Sequence, residues 1–185
     1  MEQFLVSIEK SIEVENWMSA IFTSLCIPDI CGAAENKIQG NGARYRDWFN
    51  RYMNDKYSPD NVYQLLLFNA PEKLKILPID MVERLKNQAV NVCFTADDCW
   101  ALRNACLHQG KDEQKIKKFR ITIPAPGSNV VHLNSCNGAI QLDAKILCLD
   151  LVSAARKWML DFKDDIAVSQ NVATMMHIKD LSLVF

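Results

Sequence analysis

Thr95-Ala96-Asp97-Asp98-Cys99-Trp100-Ala101-Leu102-Arg103-Asn104-Ala105-Cys106-Leu107-His108-Gln109-Gly110 contains the start and the stop of one helix. Thr95 is an N-cap type, Asp98 lies three positions on as its reciprocal partner, and Asp97 suits the positive helix end. Gly110 supplies the residue that most readily closes a helix. Leu102, Ala105 and Leu107 give this stretch an apolar surface, so the spacing predicts a helix over residues 95–109. Its polar edge carries Arg103, Asn104 and His108.

Helical spacing continues upstream. Phe4, Leu5, Ile8 and Ile12, then Trp17, Ile21, Phe22 and Leu25, recur at three and four residues, with Asn16 placed to cap or hinge between the two runs. Pro28-Asp29 is expected to restart a helix through Glu35, and Gln39-Gly40-Asn41-Gly42 to form a turn. Tyr45, Trp48, Phe49 and Tyr52 then form a stripe with Arg44, Arg46 and Arg51 interleaved. Regular spacing favours a core-facing stripe; an aromatic and arginine mixture is also a surface on which RNA bases stack. Residues 58–89 read as an elaboration with two short helices, over 60–68 and 79–88.

Downstream the period changes. Residues 119–123 and 130–133 alternate apolar with polar around Pro124-Ala125-Pro126-Gly127, which predicts a hairpin, and Asn137-Gly138 is a turn that adds a third strand over 139–142. From Asp143 a long helix follows, with Leu147, Leu151, Ala155 and Trp158 on its apolar face. The expected fold is mainly α: a single helical domain over residues 1–185 with a small antiparallel sheet at 118–142.

Charged residues make up 23% and apolar residues 49%, an ordinary globular balance. Lysine and arginine total 21 against 22 acids, so any nucleic-acid contact has to be local. The acidic start Met1-Glu2-Gln3 lacks the basic region of a signal peptide, and no run reaches the length of a membrane span, which predicts a cytoplasmic protein of bacterial type without membrane association. The seven cysteines, Cys26, Cys31, Cys93, Cys99, Cys106, Cys136 and Cys148, show neither zinc nor disulfide spacing and read as buried thiols. No metal or cofactor is expected. A Gly-rich phosphate loop, Gly-x-Ser-x-Gly and His-Glu-x-x-His are all absent.

Asn104 and His108 are four apart and share a helix face; Arg103 is turned from Asn104 by about 100 degrees and still reaches that edge. RNA cleavage without a metal needs a base for the ribose 2'-hydroxyl, a cation for the phosphorane and an acid for the leaving 5'-oxygen. An imidazole titrates near neutrality, and the negative end of the helix dipole favours its protonated form. A guanidinium matches a phosphate, and an amide orients either. One chain holds one such set, so two copies meeting at a two-fold axis would supply both proton-transfer groups, which predicts a homodimer.

The Arg103-Asn104-Ala105-Cys106-Leu107-His108 run resembles the Arg-polar-x-x-x-His motif of the HEPN superfamily. Ala101-Leu102 before it and Gln109-Gly110 after it fit the usual setting. The resemblance implies an all-helical, dimeric, metal-independent ribonuclease of the kind found in toxin-antitoxin, phage-defence and RNA-processing systems, with RNA as substrate and an antitoxin or regulatory protein as partner. Pro28-Asp29-Ile30-Cys31-Gly32, Arg44-Tyr45 and Trp48-Phe49 more loosely resemble small bacterial proteins of this type, without adding chemistry. The hairpin region and residues 58–89 are additional to the family pattern.

Other readings stand beside this one. The three residues could be structural: Arg103 in an ion pair, Asn104 on a backbone group, His108 capping its helix, in a non-catalytic interaction or nucleotide-binding protein of the same fold. Lys111, Lys115, Lys117, Lys118 and Arg120 are either a solvated loop and strand edge or a phosphate track toward His108. His132 and His177 are isolated, and Cys106 faces away from Asn104 and His108.

Overall fold

A computed structural model describes residues 1–110, 118–123 and 130–178 of the chain. Helix α1 (Glu2–Glu13) buries Leu5, Ile8 and Ile12 on one side. The chain then turns through Glu15 at φ 56. Asn16 breaks the run as expected: its Oδ1 accepts the Ser19 N–H at 3.2 Å and caps α2 (Trp17–Glu35).

The expected restart at Pro28 does not occur, because α2 passes through it unbroken. An interior proline loses one hydrogen bond and crowds the preceding turn, at a cost of about 3 kcal/mol. Ile27, Pro28 and Cys31 are all buried there. At about 1.5–3 kcal/mol for each large buried side chain, continuity of the packed face outweighs the kink. The turn expected at residues 39–42 ends earlier, at Gly40 with φ 86, and α3 (Asn41–Tyr52) starts inside it.

Short helices α4 (Asn54–Tyr57), α5 (Val62–Asn69), α6 (Pro71–Leu74) and α7 (Ile79–Lys86) follow, and the last three bury no residue. The Phe94 N–H then donates to the Tyr57 carbonyl at 2.8 Å, returning the chain to the core ahead of α8 (Ala96–Gln109). After strands β1 (Lys118–Thr122), β2 (Asn134–Cys136) and β3 (Ala139–Asp143), Asp143 caps α9 (Ala144–Asp161) and Asp165 caps α10 (Ile166–Ala173). The protein is mainly helical with one small sheet.

Helix α2 packs against α1, α3, α8, α9 and α10. With 19 residues and a mean hydropathy of 1.3 it is, among the described residues, long and apolar enough to cross a membrane, where the sequence reading found no such run. Half of it is buried in this fold, as befits a central core helix. Trp48, Trp158, Tyr45, Tyr57, Phe49 and Phe94 are fully buried, so Tyr45, Trp48 and Phe49 of the α3 stripe face the core while Tyr52 is half-buried. Edge-on contact of Phe94 with Phe119 of β1, 5.8 Å between centroids, attaches the sheet to the bundle.

The hairpin expected between residues 119–123 and 130–133 is not formed. Strand β1 instead pairs in parallel with β3, β2 pairs antiparallel with β3, and the order is β1-β3-β2. Leu133 has φ 53, which interrupts an extended run, and Val130 and Val131 are exposed. The real hairpin is β2–β3, whose turn Asn137-Gly138 has positive φ at both positions, 51 and 74, the primed geometry that this pair tolerates. The expected turn at 124–127 lies outside the described residues.

His132 holds the incoming segment to the helices. Its Nδ1 accepts the Asp143 N–H at 3.1 Å, and its Nε2 lies 3.1 Å from the Tyr57 hydroxyl. That hydroxyl donates to Asp150 at 2.7 Å, where the Lys56 ammonium also binds, so Nε2–H is the donor to Tyr57 and the ring is neutral. Burial pushes the imidazole below its ordinary value, Asp150 and Asp143 pull it up, and Lys56 pushes it down. The unfolded group titrates near 6.5, so this contribution to stability is present above that pH and lost as pH falls through the lower folded value. Thermal melts on acidification from neutrality are expected to show a fall in Tm that His132→Gln lacks across the same window; equal slopes for both proteins would refute it.

Candidate active site

Helix α8 is built as the sequence predicts. The Thr95 hydroxyl accepts the Asp98 N–H at 3.2 Å while the Asp98 carboxylate accepts the Thr95 N–H at 2.9 Å, and Gly110 closes the helix at φ 62. Cys99, Leu102, Ala105 and Cys106 are buried. The opposite face, Trp100, Arg103, Asn104 and Leu107, is half-buried, and His108 is exposed. Cys106 is thus turned into the core, as expected.

Three motif residues meet at one guanidinium. Arg103 Nη1 donates to Asn104 Oδ1 at 3.0 Å and lies 3.0 Å from His108 Nε2. Arginine has no lone pair to offer, so Nε2 is the acceptor and the imidazole is the neutral Nδ1–H tautomer. Arg103 Nη2 donates to Asp29 Oδ2 at 3.0 Å, and the guanidinium lies over the Trp100 ring, 5.2 Å from its centroid. The Arg103 side chain is only 17% exposed. Its orientation is therefore set by four groups of its own chain.

Asp29 is the residue that sequence reasoning missed. Its stretch, 28–32, carried a family likeness without chemistry; in the fold its carboxylate binds Arg103 and, at 3.7 Å, Arg44 Nε. A signal was present, because Asp29 is the one charged residue between Trp17 and Ala34. A carboxylate in such an apolar helix needs a cationic partner. Gly32 lets that partner come close: a Cβ there would stand 3.2 Å from the Arg44 Cβ, Cγ and carbonyl oxygen.

The remaining arginines of α3 are engaged elsewhere. Arg46 pairs with Asp97 and lies over Trp100, and Arg51 pairs with Glu35 and Asp47. Burial pushes the Cys26 thiol up, with the Arg103 charge opposing and Asp29 adding, and burial pushes Cys99 up to about 12, so both are thiols rather than thiolates. Among the described residues no three His, Cys, Asp or Glu side chains gather as a metal site.

Lys118 and Arg120 lie on the exposed side of β1, where Arg120 Nη1 is 4.0 Å from Cys136 Sγ. Lys111, Lys115 and Lys117 lie outside the described residues. His132 sits in the Tyr57 network, away from this site, and His177 is exposed. Comparison with protein-family models, curated proteins and solved structures found no match.

Asp29→Asn removes the charge that two part-buried guanidiniums share. Urea denaturation is expected to show a loss of about 1–3 kcal/mol. Glu9→Gln, at the exposed pair with Arg156, should stay within about 1 kcal/mol. Similar losses at both positions would contradict the central place given to Asp29.

Proposed function

We propose that the chain is a metal-independent endoribonuclease of the HEPN type, acting on RNA as a cytoplasmic homodimer. The observation that supports this reading is the convergence of Asn104 Oδ1 and His108 Nε2 on Arg103 Nη1, each at 3.0 Å, on the open face of α8. His108 Nε2 takes the proton of the ribose 2'-hydroxyl, whose oxygen then forms a bond to phosphorus. Arg103 stabilises the charge on the phosphorane, with Asn104 positioning. The P–O5' bond breaks, and the imidazolium of a second copy protonates the leaving oxygen, which yields a 2',3'-cyclic phosphate and a 5'-hydroxyl. A toxin-antitoxin or phage-defence setting, with an antitoxin or regulatory protein as partner, belongs to the same proposal.

One observation favours a second reading, a non-catalytic interaction or nucleotide-binding module. Both N–H groups of Arg103 Nη1 are directed at Asn104 and His108 and Nη2 is tied to Asp29, so a scissile phosphate that takes the Nη1 donors has to displace Asn104 or His108 from them. RNA incubated with the protein in EDTA separates the two. Fragments ending in 2',3'-cyclic phosphate are expected, and His108→Ala should slow their release by about a hundredfold or more. Wild type and variant equally inert across varied RNAs would leave the binding module.

A further inference from the structure

Two guanidiniums, of Arg44 and Arg103, share the single carboxylate of Asp29, which among the described residues leaves one positive charge uncompensated at the junction of α2, α3 and α8. They are not equivalent. Arg103 has Nη1 and Nη2 hydrogen-bonded, whereas Arg44 touches Asp29 only through Nε at 3.7 Å, too long for a hydrogen bond. Arg44 Nε, Arg103 Nε and Asp29 Oδ1 are buried without a hydrogen-bond partner, three such atoms at one place. Unsatisfied buried polar groups cost stability, and an anion cannot satisfy the Asp29 oxygen; what it can satisfy is the terminal fork of Arg44, whose N–H groups make no hydrogen bond to the described residues. The Arg44 side chain is 25% exposed, so its end reaches solvent.

The backbone is shaped to hold Arg44 there. Gly32 on α2 removes the Cβ that would press on the Arg44 Cβ, Cγ and carbonyl oxygen at 3.2 Å, which brings α3 down onto α2 and Arg44 onto Asp29. Its neighbours Arg46 and Arg51 are balanced by Asp97 and by Glu35 with Asp47. On α3, then, Arg44 is the arginine whose fork makes no hydrogen bond to the described residues.

We infer that Arg44 binds a phosphodiester of the RNA chain, next to the phosphate that Arg103 and His108 act on. The inference takes its ligand from the ribonuclease reading above. Arg44 makes the first contact with the backbone, while Arg103 stays tied to Asp29 and yields its Nη1 donors to the phosphate that displaces Asn104 or His108.

A 2'-O-methyl RNA oligonucleotide lacks the attacking hydroxyl, so its binding is read apart from cleavage. Fluorescence anisotropy over a range of salt with the full chain is expected to show Arg44→Gln weakening binding about fivefold and lowering the salt slope by about 0.7, the amount for one single-strand phosphate contact. Arg51→Gln should leave both unchanged. In the wild-type protein, which needs no variant to fold, the bound oligonucleotide should protect Arg44 from phenylglyoxal. Unchanged slope and affinity in Arg44→Gln, equal modification of Arg44 with and without oligonucleotide, or no binding by wild type would each overturn the inference. Cleavage that proceeds with Arg44-independent binding sinks this inference alone; Arg44-dependent binding without cleavage in natural RNA sinks the nuclease reading alone.

Discussion

Asp29 places a carboxylate in the apolar run of the central helix, and that charge has to be matched where it stands. An unmatched charge at such a site costs several kcal/mol, more than the packing of any one neighbouring side chain returns. The match comes from two other helices, Arg44 of α3 and Arg103 of α8. Three helices are thereby held in one relative placement, and the Arg103 guanidinium is aimed by the same contact.

Helix α8 divides its duties between two faces. Its buried side, with Cys99, Leu102, Ala105 and Cys106, anchors it, so Trp100, Arg103, Asn104 and His108 can remain half-open without loss of structure. Fixed caps at Thr95 and Gly110 set where the helix starts and stops and therefore which residues fall on which face. On that face the orientation of the Arg103 fork is fixed by Asp29, Asn104 and His108, so its side chain lacks the rotamer freedom of a solvated arginine.

Elements governed by near neighbours were legible. The breaks at Asn16 and Gly110, the capping box of α8, the Asn137-Gly138 turn and the start of α9 at Asp143 all depend on side chains within a few residues of the backbone groups they satisfy. Longer-range choices were not. Alternation in residues 119–123 indicated a strand and pointed to residues 130–133 as its hairpin partner; the partner is instead β3, in parallel, because Leu133 leaves the extended region and Phe119 docks on Phe94. Pro28 read as a break, yet the core on both sides of it keeps α2 whole.

By itself the sequence determined the helix that carries Arg103, Asn104 and His108, and their nearness on one edge, since residues four apart share a helix face and the long Arg103 side chain reaches that edge from the adjacent position. Tertiary structure alone decided what Arg103 holds on its other side. Asp29 lies 74 residues away, and only the packing of α2 against α8 and α3 brings its carboxylate to Arg103 and Arg44. Local hydrogen bonds act through short stretches of chain and leave their mark in residue spacing; a charge pair between helices follows from how apolar faces are buried, which no spacing records.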